Sequence, residues 1–142
     1  MNRGGARAGL EADFRATSYC IETELGTLVL RIGQENVLLA EFLRRHGCRN
    51  WAIITAFNPG ARRRLRDENE NAQLSLTERL GELGLQHRIA SNRADDVSWP
   101  TEPSLFVMSL ARGQALQLCR EFGQLACVCG GSEGVPELVW AE

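Results

Sequence analysis

Along the chain, polar and apolar positions alternate first with a period of two, then with the period of a helix. Tyr19, Ile21 and Thr23 alternate with Cys20, Glu22 and Glu24, and Leu28, Leu30 and Ile32 alternate with Thr27, Val29 and Arg31. Both runs have strand periodicity, and the Leu25-Gly26 turn between them predicts an antiparallel hairpin. From Gln34 to His46, Leu38, Leu39, Phe42 and Leu43 form one helical stripe, closed by Gly47 as a C-cap. Trp51 to Phe57 is apolar almost throughout, the pattern of a central strand covered on both faces. Pro59 ends it, because it cannot donate to a ladder and it pushes Asn58 towards an extended backbone.

A second helix is predicted from about Asp67 to Leu83, with Asp67 and Glu70 spaced as a capping box. Ala72, Leu76, Leu80 and Leu83 fall on one line of that helix, and Asn69 falls on the same line near its start. A polar amide is therefore aimed at the core, while Leu74 points away from it. The rest reads as a short strand from Gln86 to Ala90, a polar loop from Ser91 to Pro103, and a buried strand from Leu105 to Leu110. A helix from Ala111 to Phe122, a strand from Leu125 to Cys129 and an edge strand from Pro136 to Trp140 follow. The order is β-β-α-β-α-β-β-α-β-β. It predicts an α/β fold (α+β being the alternative): one mixed sheet with about three helices, parallel pairing being expected around the helical crossovers. Residues 1–17 read as a flexible lead-in and 18–142 as a single globular domain.

Four short motifs occur in order: Thr55-Ala56-Phe57-Asn58-Pro59, then Glu68-Asn69 opening the leucine-rich helix, then Trp99-x-x-Glu102-Pro103-Ser104, then Phe122-Gly123-Gln124. In this set the chain, from Tyr19 to Val139, resembles the bacterial family called domain of unknown function 3293. That family often has Trp where this chain has Phe57. The resemblance implies a small cytosolic domain and carries no activity with it.

Composition narrows the function classes. The 142 residues include 44% hydrophobic and 24% charged positions, which is ordinary for a globular domain. A net charge of −2 argues against general attraction to nucleic acid or anionic lipid. All sixteen basic residues are arginine. No apolar run approaches the ~20 residues needed to cross a bilayer, and the first residues lack the apolar core of a secretory signal. The five cysteines have no framework spacing and read as reduced thiols of a cytoplasmic protein.

The chemistry-bearing residues gather around the Asn58 loop. Thr55 and Asn58 lie at the carboxyl end of a strand, where α/β sheets place ligands, and Asn69 is aimed back at them. Trp99, Glu102 and Gln124 come from loops that can reach the same place. With Arg62 as a mobile rim, these residues suggest a pocket for a small polar or phosphorylated metabolite. The plainer reading makes Asn58 and Asn69 a clamp on backbone groups at the helix start. Glu68 and Glu102 are the candidates for acid/base work, and hydrolysis or group transfer is the least demanding chemistry for them. The arginines of 62–66 stand beside Asp67, Glu68 and Glu70, and mutual pairing competes with any phosphate grip. Cys127 and Cys129 share a strand face with no second ligand pair, so they indicate no metal site, and no cofactor motif is present. Rival readings are a protein-interaction module using Leu74, Trp140 and an edge strand, and an RNA-contact domain using the arginines and Trp99.

Overall fold

The computed structural model describes residues 3–142. Seven strands form one sheet: β1 (Thr17–Thr23), β2 (Gly26–Leu30), β3 (Asn50–Ile54), β4 (His87–Ala94), β5 (Glu102–Met108), β6 (Ala126–Gly131) and β7 (Glu137–Trp140). Four helices accompany them: α1 (Arg3–Arg15), α2 (Val37–His46), α3 (Arg66–Glu82) and α4 (Arg112–Glu121). From β1 onward the element order is the one the periodicity predicts.

The pairing differs from the prediction. The spatial order is β2-β1-β4-β5-β3-β6-β7, and every neighbouring pair is antiparallel. The helical crossovers do join strands that run the same way. Each, however, lands one or more strands further on. After β3 and α3 the chain returns as β4, leaving a slot that β5 fills in the opposite direction. After β5 and α4 it returns as β6 on the far side of β3. This βαββαβ weave is the split arrangement of ferredoxin-like sheets, and it removes every parallel contact. The β1–β2 hairpin extends the sheet beyond β4, and β7 lies at the other edge, where Pro136 precedes it.

Alternation along the central strands divides the core in two. Trp51 and Ile53 of β3, Phe106 and Met108 of β5 and Val128 of β6 face α2, with Leu39, Phe42 and Leu43 packed on them. Ala52, Ile54, Leu105, Val107, Cys127 and Cys129 face the other way, against Leu76 and Leu80 of α3 and Leu118 and Cys119 of α4. Trp51 is fully buried, and its indole N–H donates to the Gly131 carbonyl at 3.1 Å. A Cβ on Gly130 would come within 2.3 Å of that indole, so only glycine lets β6 cross there. Asn36 caps α2 by accepting from the Leu39 N–H, and Gly47 ends it in the left-handed region. The chain between β2 and α2 donates to the carbonyls of Pro136 and Gly134, so the two ends of the sheet are drawn together and the sheet curls.

Several boundaries moved. The helix α1 occupies a stretch read as a lead-in; residues 1 and 2 of that stretch lie outside the described residues. Strand β4 continues to Ala94 and β5 begins at Glu102, so the expected long loop shrinks to residues 95–101. Register with β1, from Thr17↔Ala94 to Ile21↔Ala90, carries β4 onward through its polar residues. Helix α3 starts with Leu65 as its cap residue and no side-chain cap; Asp67 sits within the first turn rather than before it. Leu83 is 44% exposed, off the buried line of Leu76 and Leu80.

Candidate functional site

Beyond the C-terminal end of β3, the chain turns sharply at Asn58. The expected extended backbone is absent: Asn58 is in the left-handed region, at φ 47° and ψ 60°. Asparagine tolerates this conformation better than most side chains, at a cost of about 1–2 kcal/mol that its surroundings offset. The offset is a closed set of hydrogen bonds. The Asn58 N–H donates to Asn69 Oδ1 at 2.8 Å, and Asn69 Nδ2 donates to Asn58 Oδ1 at 2.9 Å. The same Oδ1 accepts the Arg64 N–H at 2.9 Å. Both asparagines are buried, at 6% and 4% exposure. Asn69 thus stands where the helical line placed it, and its amide is consumed by the loop.

The other motifs strap the same turn. Gln124 Nε2 donates to the Phe57 carbonyl at 3.1 Å, and the Gly60 N–H donates to the Gly123 carbonyl at 2.9 Å. Gly123 has φ +68° and faces Pro59 so closely that an added Cβ would lie 2.9 Å from the proline Cβ. Thr55 Oγ1 donates to the Pro103 carbonyl at 2.7 Å and accepts the Phe57 N–H. Gln73 of α3 accepts the Ala56 N–H.

One donor of the clamp points outward. Asn58 Nδ2 donates to Glu102 Oε2 at 3.0 Å, and the Trp99 indole N–H donates to the same oxygen at 3.3 Å. Glu102 Oε1 accepts nothing from the described residues. Burial outweighs the two neutral donors and raises the Glu102 carboxyl above the usual carboxylate range. Glu102 lies on the wall of a cleft of about 310 Å³. This cleft continues from the α2-side core, since Tyr19, Ile53 and Val128 belong to both. Thr55, Asn58, Trp99 and Gln124 also line it, with Phe57 and Asn92. Leu10, Asp13 and Phe14 of α1 roof it.

The structure therefore brings Thr55, Asn58, Trp99, Glu102 and Gln124 to one cleft, with Asn69 beneath. Arg62 stays out of it; Ala61 is the part of that run that reaches the wall. Arg64 and Arg66 pair with Glu68 and Glu70, at 3.7 Å and 2.8 Å. Arg63 stacks over the Trp99 ring at 4.8 Å. Glu68 is engaged with Arg64 on the surface and does not join Glu102. Asp95 pairs with Arg31, which holds its carboxyl low, and Asp96 accepts from Ser98. Trp140 is half-buried, edge-on to Phe14 and under Arg7, rather than exposed; Leu74 is exposed. All five cysteines are free and buried. Neighbouring thiols and burial push Cys127 and Cys129 upward, so they stay protonated. Among the described residues no group of three or more His, Cys, Asp or Glu side chains could hold a metal ion.

Sequence reasoning missed the α1 roof, Tyr19 and Asn92. Leu10 and Phe14 are four apart, a helical spacing inside a glycine-rich run. Asn92 shares the parity of Ala90, so extending the strand by two residues would have placed it on the inner face.

The model of the family described as protein of unknown function (DUF3293) matches residues 54–127, just over half of the chain. That span contains all four motifs. No curated protein and no solved structure matches the chain. Among the described residues no helix is long and apolar enough to cross a membrane.

Proposed function

The chain belongs to the DUF3293 family of proteins of unknown function, and from that premise we propose that it is a small-molecule-binding domain whose ligand sits in the Glu102 cleft. The observation that carries this reading is the unshared Oε1 of a partly buried carboxylate on a cavity wall. A protein that buries a carboxylate normally surrounds both oxygens with donors. Here Asn58 and Trp99 converge on one oxygen and leave the other to the cleft. The cleft is at the lower end of the size range for ligand sites, mostly apolar, with a few convergent polar groups. In this reading the Asn58–Asn69 pair is a clamp, and its purpose is to fix Glu102. Binding rather than hydrolysis is favoured, because the hydroxyls of the wall are already committed: Thr55 to Pro103 and Phe57, Thr17 to the Asp13 carbonyl and Tyr19 to the Phe14 carbonyl.

A thermal-shift screen of fragments of all charge types tests it. Occupancy at 100 times the dissociation constant should add about 2.7 kcal/mol, several degrees in melting temperature. Ala94→Trp, which fills the cleft from β4, should remove the shift while the protein stays folded. Hits that survive Ala94→Trp would place binding elsewhere and defeat the reading.

A further inference from the structure

Resting on that cleft, we propose that its ligand is a cation: a primary amine, amidine or guanidine attached to a flat apolar group, with the charged end on Glu102 Oε1. The groups that touch Glu102 are both neutral, an asparagine amide and an indole. Neutral donors leave most of a buried carboxylate's charge uncompensated, and an incoming N⁺–H supplies what they lack. Among the described residues nothing on the wall competes for that role, because no arginine or histidine lines the cleft. The nearby arginines are committed outside it: Arg31 to Asp95 by two bonds at 2.9 and 3.1 Å, and Arg63 to the Ser98 carbonyl and the Trp99 ring. The remaining ionisable groups on the wall are Asp13 and Asp96 at the rim and the buried Tyr19 and Cys127, none of them positive. The charges on the described wall thus favour a cation over an anion.

The apolar half of the ligand is set by the apolar part of the wall. Phe14, Tyr19, Phe57 and Val128 line it. The Tyr19 hydroxyl is spent on the Phe14 carbonyl at 3.3 Å, so it presents its ring rather than a donor. Aromatic faces next to a carboxylate suit a cation borne on a flat body, through stacking and cation–π attraction.

The test is a matched panel on the full chain: benzamidine and phenethylamine as cations, benzamide and phenethyl alcohol as uncharged isosteres, benzoate and phenyl phosphate as anions. Binding is read by thermal shift and by titration calorimetry, for the wild type and for Glu102→Gln. The amide keeps an acceptor for Asn58 and Trp99, so the variant should fold. The expected result is a shift with the cations alone, and at least about a 30-fold loss of their affinity in Glu102→Gln. Cation binding undiminished in Glu102→Gln would overturn the assignment of the charged end. A shift with the anions or uncharged isosteres in place of the cations overturns the ligand class and leaves the cleft reading standing. No shift with any compound overturns both.

Discussion

Asn58 and Asn69 make a reciprocal amide pair that a substitution cannot half-remove without penalty. Asn69→Leu strips the acceptor from the Asn58 N–H in a buried site, and each stranded buried group costs about 1–3 kcal/mol. A total loss near 3 kcal/mol is expected in urea unfolding; a change within 0.5 kcal/mol, as at ordinary surface sites, would contradict the clamp. Because the two side chains share partners, the Asn58→Ala/Asn69→Ala cycle should show coupling of about 1 kcal/mol or more. Glu102 offers a pH signature. Its folded carboxyl titrates above its unfolded value, so it stabilises the protein fully below the ordinary carboxylate range. That contribution is lost as pH rises through its folded titration. The acidic groups on the same cleft wall are Asp96 and Asp13, and the buried Tyr19 there stays neutral because burial pushes its hydroxyl up. Glu102→Gln should therefore gain stability relative to wild type as pH rises from about 4 to 7; a flat difference between the two curves would refute the raised titration. At this scale the sequence was readable where periodicity speaks: Asn69 on the leucine line is buried as expected. It was not readable at Asn58, whose left-handed backbone depends on partners from six to 44 residues away.

Elements hold the site through two junctions. Gly123, at the end of α4, lies against Pro59 with φ +68° and no room for a Cβ. Gly123→Ala combines the left-handed penalty with a contact that must shift, so a loss of about 1–3 kcal/mol is expected in unfolding experiments. The loss should be accompanied by weaker probe binding, because the Asn58 turn loosens with it. The other junction is α1 over the cleft. Its attachments are Phe14 against Trp140 at 6.0 Å, Arg7 over the same ring at 4.5 Å, and the Tyr19 hydroxyl on the Phe14 carbonyl. Phe14→Ala should cost only about 1–2 kcal/mol, since the side chain is half-buried. It should also weaken flat aromatic ligands more than small aliphatic amines, as competition calorimetry would show. This helix was illegible because three glycines within Arg3–Arg15 lower its intrinsic propensity. Packing on the cleft and Trp140 supplies what propensity lacks.

For the whole molecule, the order of elements followed from the sequence, whereas the pairing did not. Periodicity identifies a strand and its buried faces, as at Trp51–Ile54, yet contains no term for which neighbour fills a gap. The crossover rule gave the right relative direction for β3 and β4 but could not foresee β5 running back between them. The same weave creates the site. It sets Glu102, first residue of β5, beside the chain leaving β3, and the added β1 strand brings Tyr19 to complete the wall. The motifs at 55–59, 68–69, 99–104 and 122–124 are scattered in sequence and meet only because of that topology. The chain's three tryptophans allow this to be read directly. Trp99 donates its indole N–H to Glu102, whereas Trp51 donates to a backbone carbonyl on the core. The decisive measurement is an NMR titration of the indole N–H signals with benzamidine. Binding in the cleft should move the Trp99 signal in a saturable way and leave Trp51 in place. A Trp99 signal that stays fixed, with shifts confined to the Arg62–Arg66 stretch or to the outer face of α2, would contradict the account.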